Sequence, residues 1–279
     1  MESYPIHRRV LYVISPMFLF LATSIAVQSI IVYIYATCVV AINVLNHTSS
    51  AIDTNSFIDN NIHWIDLISS IVIFAMLYPT WSKTHKTLAI YNGNNMAFTT
   101  VALLIGAGIG LCNVYACLIA ITDLVRFFPS YENVAEMLYS GGIPIQILST
   151  GIVGPIVEEI CFRGIIFNRL RYWTPTWVAI LISSSLFGIF HMNLFQGLYA
   201  VPIGMILALV YIRFRNILAP IIVHIAFNLA SIILNFVLTA TDNEDLSKWV
   251  ILFPSALILV VCAWLLIKQP IPTHAGVEH

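Results

Sequence analysis

Charge is what this sequence has least of. Of its 279 residues only 9% are Asp, Glu, Lys or Arg, while 59% are hydrophobic; a soluble domain usually carries about 25% charged residues. A chain this short of solvating groups does not form a soluble globule. Lys and Arg (12) nearly balance Asp and Glu (13), leaving a net charge of −1, so no nucleic-acid partner is expected. Cysteine is sparse as well. Cys38, Cys112, Cys117, Cys161 and Cys262 all fall inside apolar runs and none forms a CxxC pair, which argues against a disulfide framework and against a structural zinc site. There is no low-complexity stretch and no internal repeat. The N-terminal MESYPIHRRVLYVISPMFLFL lacks an A-x-A-like cleavage site and its apolar run continues, so it reads as a retained first span.

What the sequence has in abundance is apolar runs near or above the roughly 20 residues that cross a bilayer. Eight spans can be drawn, at about 10–40, 63–81, 97–122, 143–172, 175–192, 197–213, 217–240 and 249–267. The fold class is therefore all-α, a polytopic integral membrane protein in contact with the lipid bilayer. Gly142, Pro144, Gly151, Gly154 and Pro155 crowd the start of the fourth span and predict a bend or broken helix there. With the N-terminus inside and the spans alternating, Arg8, Arg9, Lys83, Lys86, Arg163, Arg169, Arg171, Arg213, Arg215 and Lys268 fall toward the inner side. Only Arg126 and Lys248 fall outside, where Asp53, Asp59, Glu132, Glu136, Asp242, Glu244 and Asp245 collect. That asymmetry follows the positive-inside rule and predicts an N-in, C-in topology. The chain divides into N-terminal helices (1–140), a helical core (141–240), and a last helix with a short cytoplasmic tail (241–279).

Ionisable side chains inside a span cost ~2.5–3.5 kcal/mol each on insertion scales and are usually kept for function. Glu158 and Glu159 are the carboxylates expected deep in a span. Of eight histidines, His191 and His224 lie in apolar helical sequence, whereas His7, His47, His63, His85, His274 and His279 fall in tails, loops or span edges. In VEEICFRG (157–164), Glu159 and Arg163 are four apart and can pair on one helix face. Glu158 points about 100° away, free for another role; the alternative is a single packing network of all three charges. His224 and Asn228, in HIAFN, share a face, and so do Phe187 and His191, in FGIFH. Each pair has a structural reading too, as glue between helices or as a satisfied histidine. If the three helices converge, a buried carboxylate suits a general base acting on water, and imidazole and amide donors suit an oxyanion. That constellation points to amide hydrolysis without a covalent enzyme nucleophile.

EEICFR, FGIFH and HIAFN fit the EExxxR, FxxxH and HxxxN motifs in order, and RFRNILAPIIVHIAFNLAS continues the likeness. Over roughly residues 150–235 the chain resembles the CAAX-protease and bacteriocin-processing (CPBP, or Abi) family of intramembrane endopeptidases. The resemblance implies that Glu158 activates water with His191, that His224 and Asn228 form the oxyanion site, and that Glu159 and Arg163 hold the helix. It also implies a peptide or lipid-modified protein substrate and a bacterial plasma membrane location. No HExxH, GxGD or convincing serine dyad points to another class of intramembrane protease.

Alternatives remain at this stage. Glu158, His191 and His224 also satisfy a two-His, one-carboxylate zinc site; a cofactor-free reading is preferred because Asn228 completes an oxyanion site without metal. A non-catalytic immunity or scaffold protein is the second reading. A proton-coupled transporter is the third, weakened by the lack of repeat symmetry. A uniform rise of ~1.5 Å per residue sets Glu158 roughly 20 Å from Arg171, but His224 only roughly 13 Å from Arg215. The four residues then share a level only through tilt, a re-entrant segment or shifted span boundaries.

Overall fold

The computed structural model describes residues 5–88, 96–239 and 244–270. Among the described residues, helices follow one another without a strand: α1 (Ile6–Asn46), α2 (Thr54–Leu88), α3 (Phe98–Thr122), the short α4 (Ser130–Leu138), α5 (Ile143–Trp173), α6 (Thr176–Phe190), α7 (Leu194–Phe214), α8 (Leu218–Thr239) and α9 (Glu244–Lys268). Seven of them are long and apolar enough to cross a membrane. The expected fifth span, 175–192, is a helix of 15 residues. Its length of about 22 Å is short of the ~30 Å hydrocarbon layer. The tail expected at 271–279 lies outside the described residues.

Apolar side chains surround α5 on all sides, as befits a helix at the centre of a bundle. Cys161, Phe162, Ile165, Ile166 and Phe167 are fully buried there. They pack on Val13, Met17 and Phe20 of α1, Ile73 and Leu77 of α2, Ala179 and Phe187 of α6, and Ala208 and Tyr211 of α7. A second cluster joins Leu104 of α3, Leu207 of α7, Val223 of α8 and Leu266 of α9. On the outer faces Ile30, Tyr33, Ile71, Leu257 and Val260 stay exposed, which is the surface a lipid-facing helix needs.

Small residues let α3 sit against two helices at once. A Cβ on Gly108 would lie 2.5 Å from the Val223 carbonyl oxygen of α8, and one on Gly110 would lie 2.9 Å from the Ser255 carbonyl oxygen of α9. Gly106 faces α9 too, 2.8 Å from Cys262 Sγ. Gly106 and Gly110 are four apart, a small-xxx-small pair that allows two backbones to approach in lipid. Near the start of α1, Arg169 donates to the Tyr12 carbonyl and stacks 3.7 Å over the Tyr12 ring, tying α5 to α1.

Candidate active site

The start of α5 is not a regular α-helix. Two wide π-type stretches, Ile147–Val153 and Ile160–Phe167, flank a single α segment, Gly154–Glu159. Such turns are uncommon and often mark functional positions. Pro155 explains part of the first one. In the wide register Gly154 N–H donates to the Ser149 carbonyl, five residues back. The next amide in that register would reach Thr150, but residue 155 is a proline and has no N–H. The Asn228 carboxamide of α8 fills the gap, Nδ2 donating to the Thr150 carbonyl at 2.9 Å. A second asparagine serves the other wide stretch: Asn168 Nδ2 donates to the carbonyls of Arg163 (3.0 Å) and Gly164 (3.1 Å).

The two adjacent glutamates diverge as the helical spacing predicts. Glu159 and Arg163 are wholly buried and paired at 2.7 Å, and Arg163 also donates to the Gly204 carbonyl at 2.8 Å. The guanidinium lies 4.7 Å from the Phe187 ring centre. Glu158 instead presents a partly exposed carboxylate to a cavity, 3.8 Å from His224 Nε2.

One contact differs from the sequence reading, which confined Glu159 to the pair with Arg163. Glu159 Oε1 also accepts a hydrogen bond from His224 Nδ1 at 3.0 Å. A carboxylate can only accept here, so the ring carries its proton on Nδ1 and turns Nε2 toward Glu158. Spacing could not reveal this bond, because its partners are 65 residues apart.

His191 lies one residue past the last residue of α6, as its C-cap, rather than within the helix. Met192 follows with φ +56° and Asn193 caps α7, its side chain accepting from Gln196 N–H at 3.1 Å. His191 Nδ1 bonds the Phe187 carbonyl at 2.8 Å. That carbonyl can only accept, so Nδ1 carries a proton and, in the neutral ring, Nε2 keeps the lone pair. The Phe187 ring stands edge-on to both imidazoles, 4.8 Å from His191 and 5.8 Å from His224 between centroids.

Glu158, Phe187, His191, His224 and Asn228 thus line one cavity of about 670 Å³, with Glu159 and Arg163 behind its wall. The mismatch in depth estimated from uniform helices does not persist, since Glu158, His191, His224 and Asn228 all line this cavity. Two further residues were missed or misplaced by the sequence reading. Asp66 lines the same cavity, so Glu158 and Glu159 are not the only carboxylates within a span. His63 is buried, with Nδ1 3.3 Å from both Ser149 Oγ and Thr150 Oγ1, and does not sit at a span edge. Both follow from α2 starting at Thr54, nine residues before the expected span.

The zinc alternative would draw on Glu158, His191 and His224. Among the described residues no three His, Cys, Asp or Glu side chains converge as ligands. His224 and His191 bond Glu159 and the Phe187 carbonyl through Nδ1, which leaves each Nε2 free, and Glu158 stands 3.8 Å from His224 Nε2.

Residues 140–230 match the family model described as type II CAAX prenyl endopeptidase Rce1-like. The chain is 43% identical over 86 residues to the Bacillus subtilis (strain 168) protein named "Putative membrane peptidase YdiL", covering 31% of this chain and 35% of that one. It is 32% identical over 93 residues to the membrane-embedded CAAX protease MroQ of Staphylococcus aureus (strain USA300), covering 31% and 37%. A third relative, UPF0177 protein YbdI of Lactococcus lactis subsp. lactis (strain IL1403), is 25% identical over 122 residues, or 41% and 66%. The alignments span between about a third and two thirds of these relatives' own lengths. No solved structure matches the chain.

Proposed function

Because this multi-pass bacterial membrane protein belongs to the CAAX-protease and bacteriocin-processing family, we propose that it is an intramembrane endopeptidase in which Glu158 activates the attacking water. The observation that carries the reading is the different use of two adjacent carboxylates. Glu159 is spent on Arg163 and His224, while the one ion-pair contact of Glu158 among the described residues is to His224 Nε2, at 3.8 Å, and its carboxylate opens on the cavity.

Glu158 takes a proton from water as the oxygen bonds the scissile carbonyl carbon. His191 Nε2, with its lone pair free, accepts a hydrogen bond from the same water and orients it. The carbonyl oxygen becomes an oxyanion, stabilised by donors aimed at it. His224 donates from Nε2 when its ring is cationic. One Asn228 N–H is held by Thr150; the second is available to the oxyanion. The proton on Glu158 passes to the leaving nitrogen, the C–N bond breaks, and a carboxylic acid and an amine are released.

Substrates are membrane-associated or lipid-modified peptides, since the cavity opens among helices that cross the bilayer. The test uses purified protein in detergent with quenched peptide substrates. Glu158→Gln is expected to lower kcat by at least about a hundredfold, at the low end of what a positioned general base contributes, with Tm unchanged. Full activity in this variant would remove Glu158 from the chemistry. The same assay is run with a chelator: unchanged activity is expected, and loss that zinc restores would replace the metal-free scheme.

A further inference from the structure

We propose that Asp66 and the walls around it, which carry no Lys or Arg among the described residues, form a subsite for a positively charged group of the substrate, an alkylammonium or guanidinium. The inference rests on the peptidase reading in taking the occupant to be substrate. Asp66 lies on α2, outside the matched segment 140–230, so it is a feature of this chain's own N-terminal helices. It lines the cavity together with Glu158, and no Lys or Arg lines that cavity. The buried cation closest in sequence to Glu158, Arg163, is committed to Glu159 and the Gly204 carbonyl. Among the described residues Asp66 forms no ion pair.

A second observation on the same face points to an absent ligand. Ser69, one turn beyond Asp66, lines the cavity, is 3% exposed, and among the described residues has no hydrogen-bond partner for its hydroxyl. A buried hydroxyl is normally satisfied. Ser70 lines the cavity as well, so Asp66, Ser69 and Ser70 offer three oxygen groups at i, i+3 and i+4 of one helix face. Tyr115, Tyr131 and Tyr199 contribute aromatic rings to the walls, and aromatic faces attract cations. Two carboxylates within a low-dielectric bundle are costly without a counter-charge, and a cationic ligand supplies one. A metal ion is the less suitable counter-charge, because no three ligand side chains converge.

The test separates binding from turnover. Full-length protein in detergent is melted with benzylammonium chloride, with benzyl alcohol, and with sodium chloride of matched concentration. Benzylammonium is expected to raise Tm by several degrees more than benzyl alcohol in the wild type and in Asp66→Glu, but not in Asp66→Asn. Equal shifts for the two aromatic probes in the wild type, or a benzylammonium shift that survives in Asp66→Asn, would overturn the proposal. A second arm uses matched peptides carrying Lys or norleucine beside the cleaved bond, with free or acetylated N-termini. Asp66→Asn is expected to lower kcat/KM about tenfold for the cationic peptide, as for one lost charge-assisted contact, and to spare the neutral one. The N-terminal pair tells whether the cation is a side chain or the terminal ammonium. Equal losses for cationic and neutral peptides would refute the subsite. If no peptide is cut while the Asp66-dependent shift remains, the peptidase reading fails and the cation site stands.

Discussion

Arg163→Met is the perturbation that most directly tests the network behind the cavity. Arg163 is fully buried, bonds Glu159 at 2.7 Å and the Gly204 carbonyl at 2.8 Å, and packs on the Phe187 ring. Removing it leaves Glu159 as a buried carboxylate whose Oε1 is bonded only by His224 and whose Oε2 has no partner among the described residues. Breaking one side of a buried ion pair costs ~3–5 kcal/mol, whereas replacing both members by apolar groups is often neutral. In Glu159→Leu/Arg163→Met the charge is gone, but His224 loses the acceptor for its Nδ1–H. An unsatisfied buried donor costs ~1–3 kcal/mol. The double variant is therefore expected to lose less than Arg163→Met alone, which inverts simple additivity. The assay is reversible unfolding in mixed micelles, with slopes compared so that only stability is read. The reasoning is refuted if Arg163→Met costs under ~1 kcal/mol, or if the double variant loses the sum of the two single losses.

Two further outcomes follow from the geometry. Asn228→Ala should leave the Thr150 carbonyl unpaired at ~1–3 kcal/mol, and the cost should fall in a Pro155→Ala background, where residue 155 regains an N–H. Independent costs in that double-mutant cycle would break the link between the asparagine and the proline. An N-in, C-in topology predicts that cytoplasm-active reporters fused at either end are both active. Activity at one end alone would mean that α6 does not count as a crossing.

The local pattern carried much of this protein. Composition and run length specify a helical membrane protein because the bilayer demands satisfied backbones and apolar surfaces. The helical period separated Glu158 from Glu159, since residues one and four apart necessarily point in different and similar directions. The three motifs named Glu158, His191, His224 and Asn228, which line the cavity with others the motifs do not contain.

What the tertiary structure alone decided lies between helices. The bond from Glu159 to His224, the use of Asn228 to cap a carbonyl freed by Pro155, and the burial of His63 against α5 depend on which faces meet, and no periodicity within one helix encodes that. The wide turns of α5 were legible only as a cluster of Gly and Pro; their register is set by packing. Asp66 stayed hidden because α2 begins well before its apolar run, so a carboxylate near the edge of that run falls three turns into the helix and against the cavity.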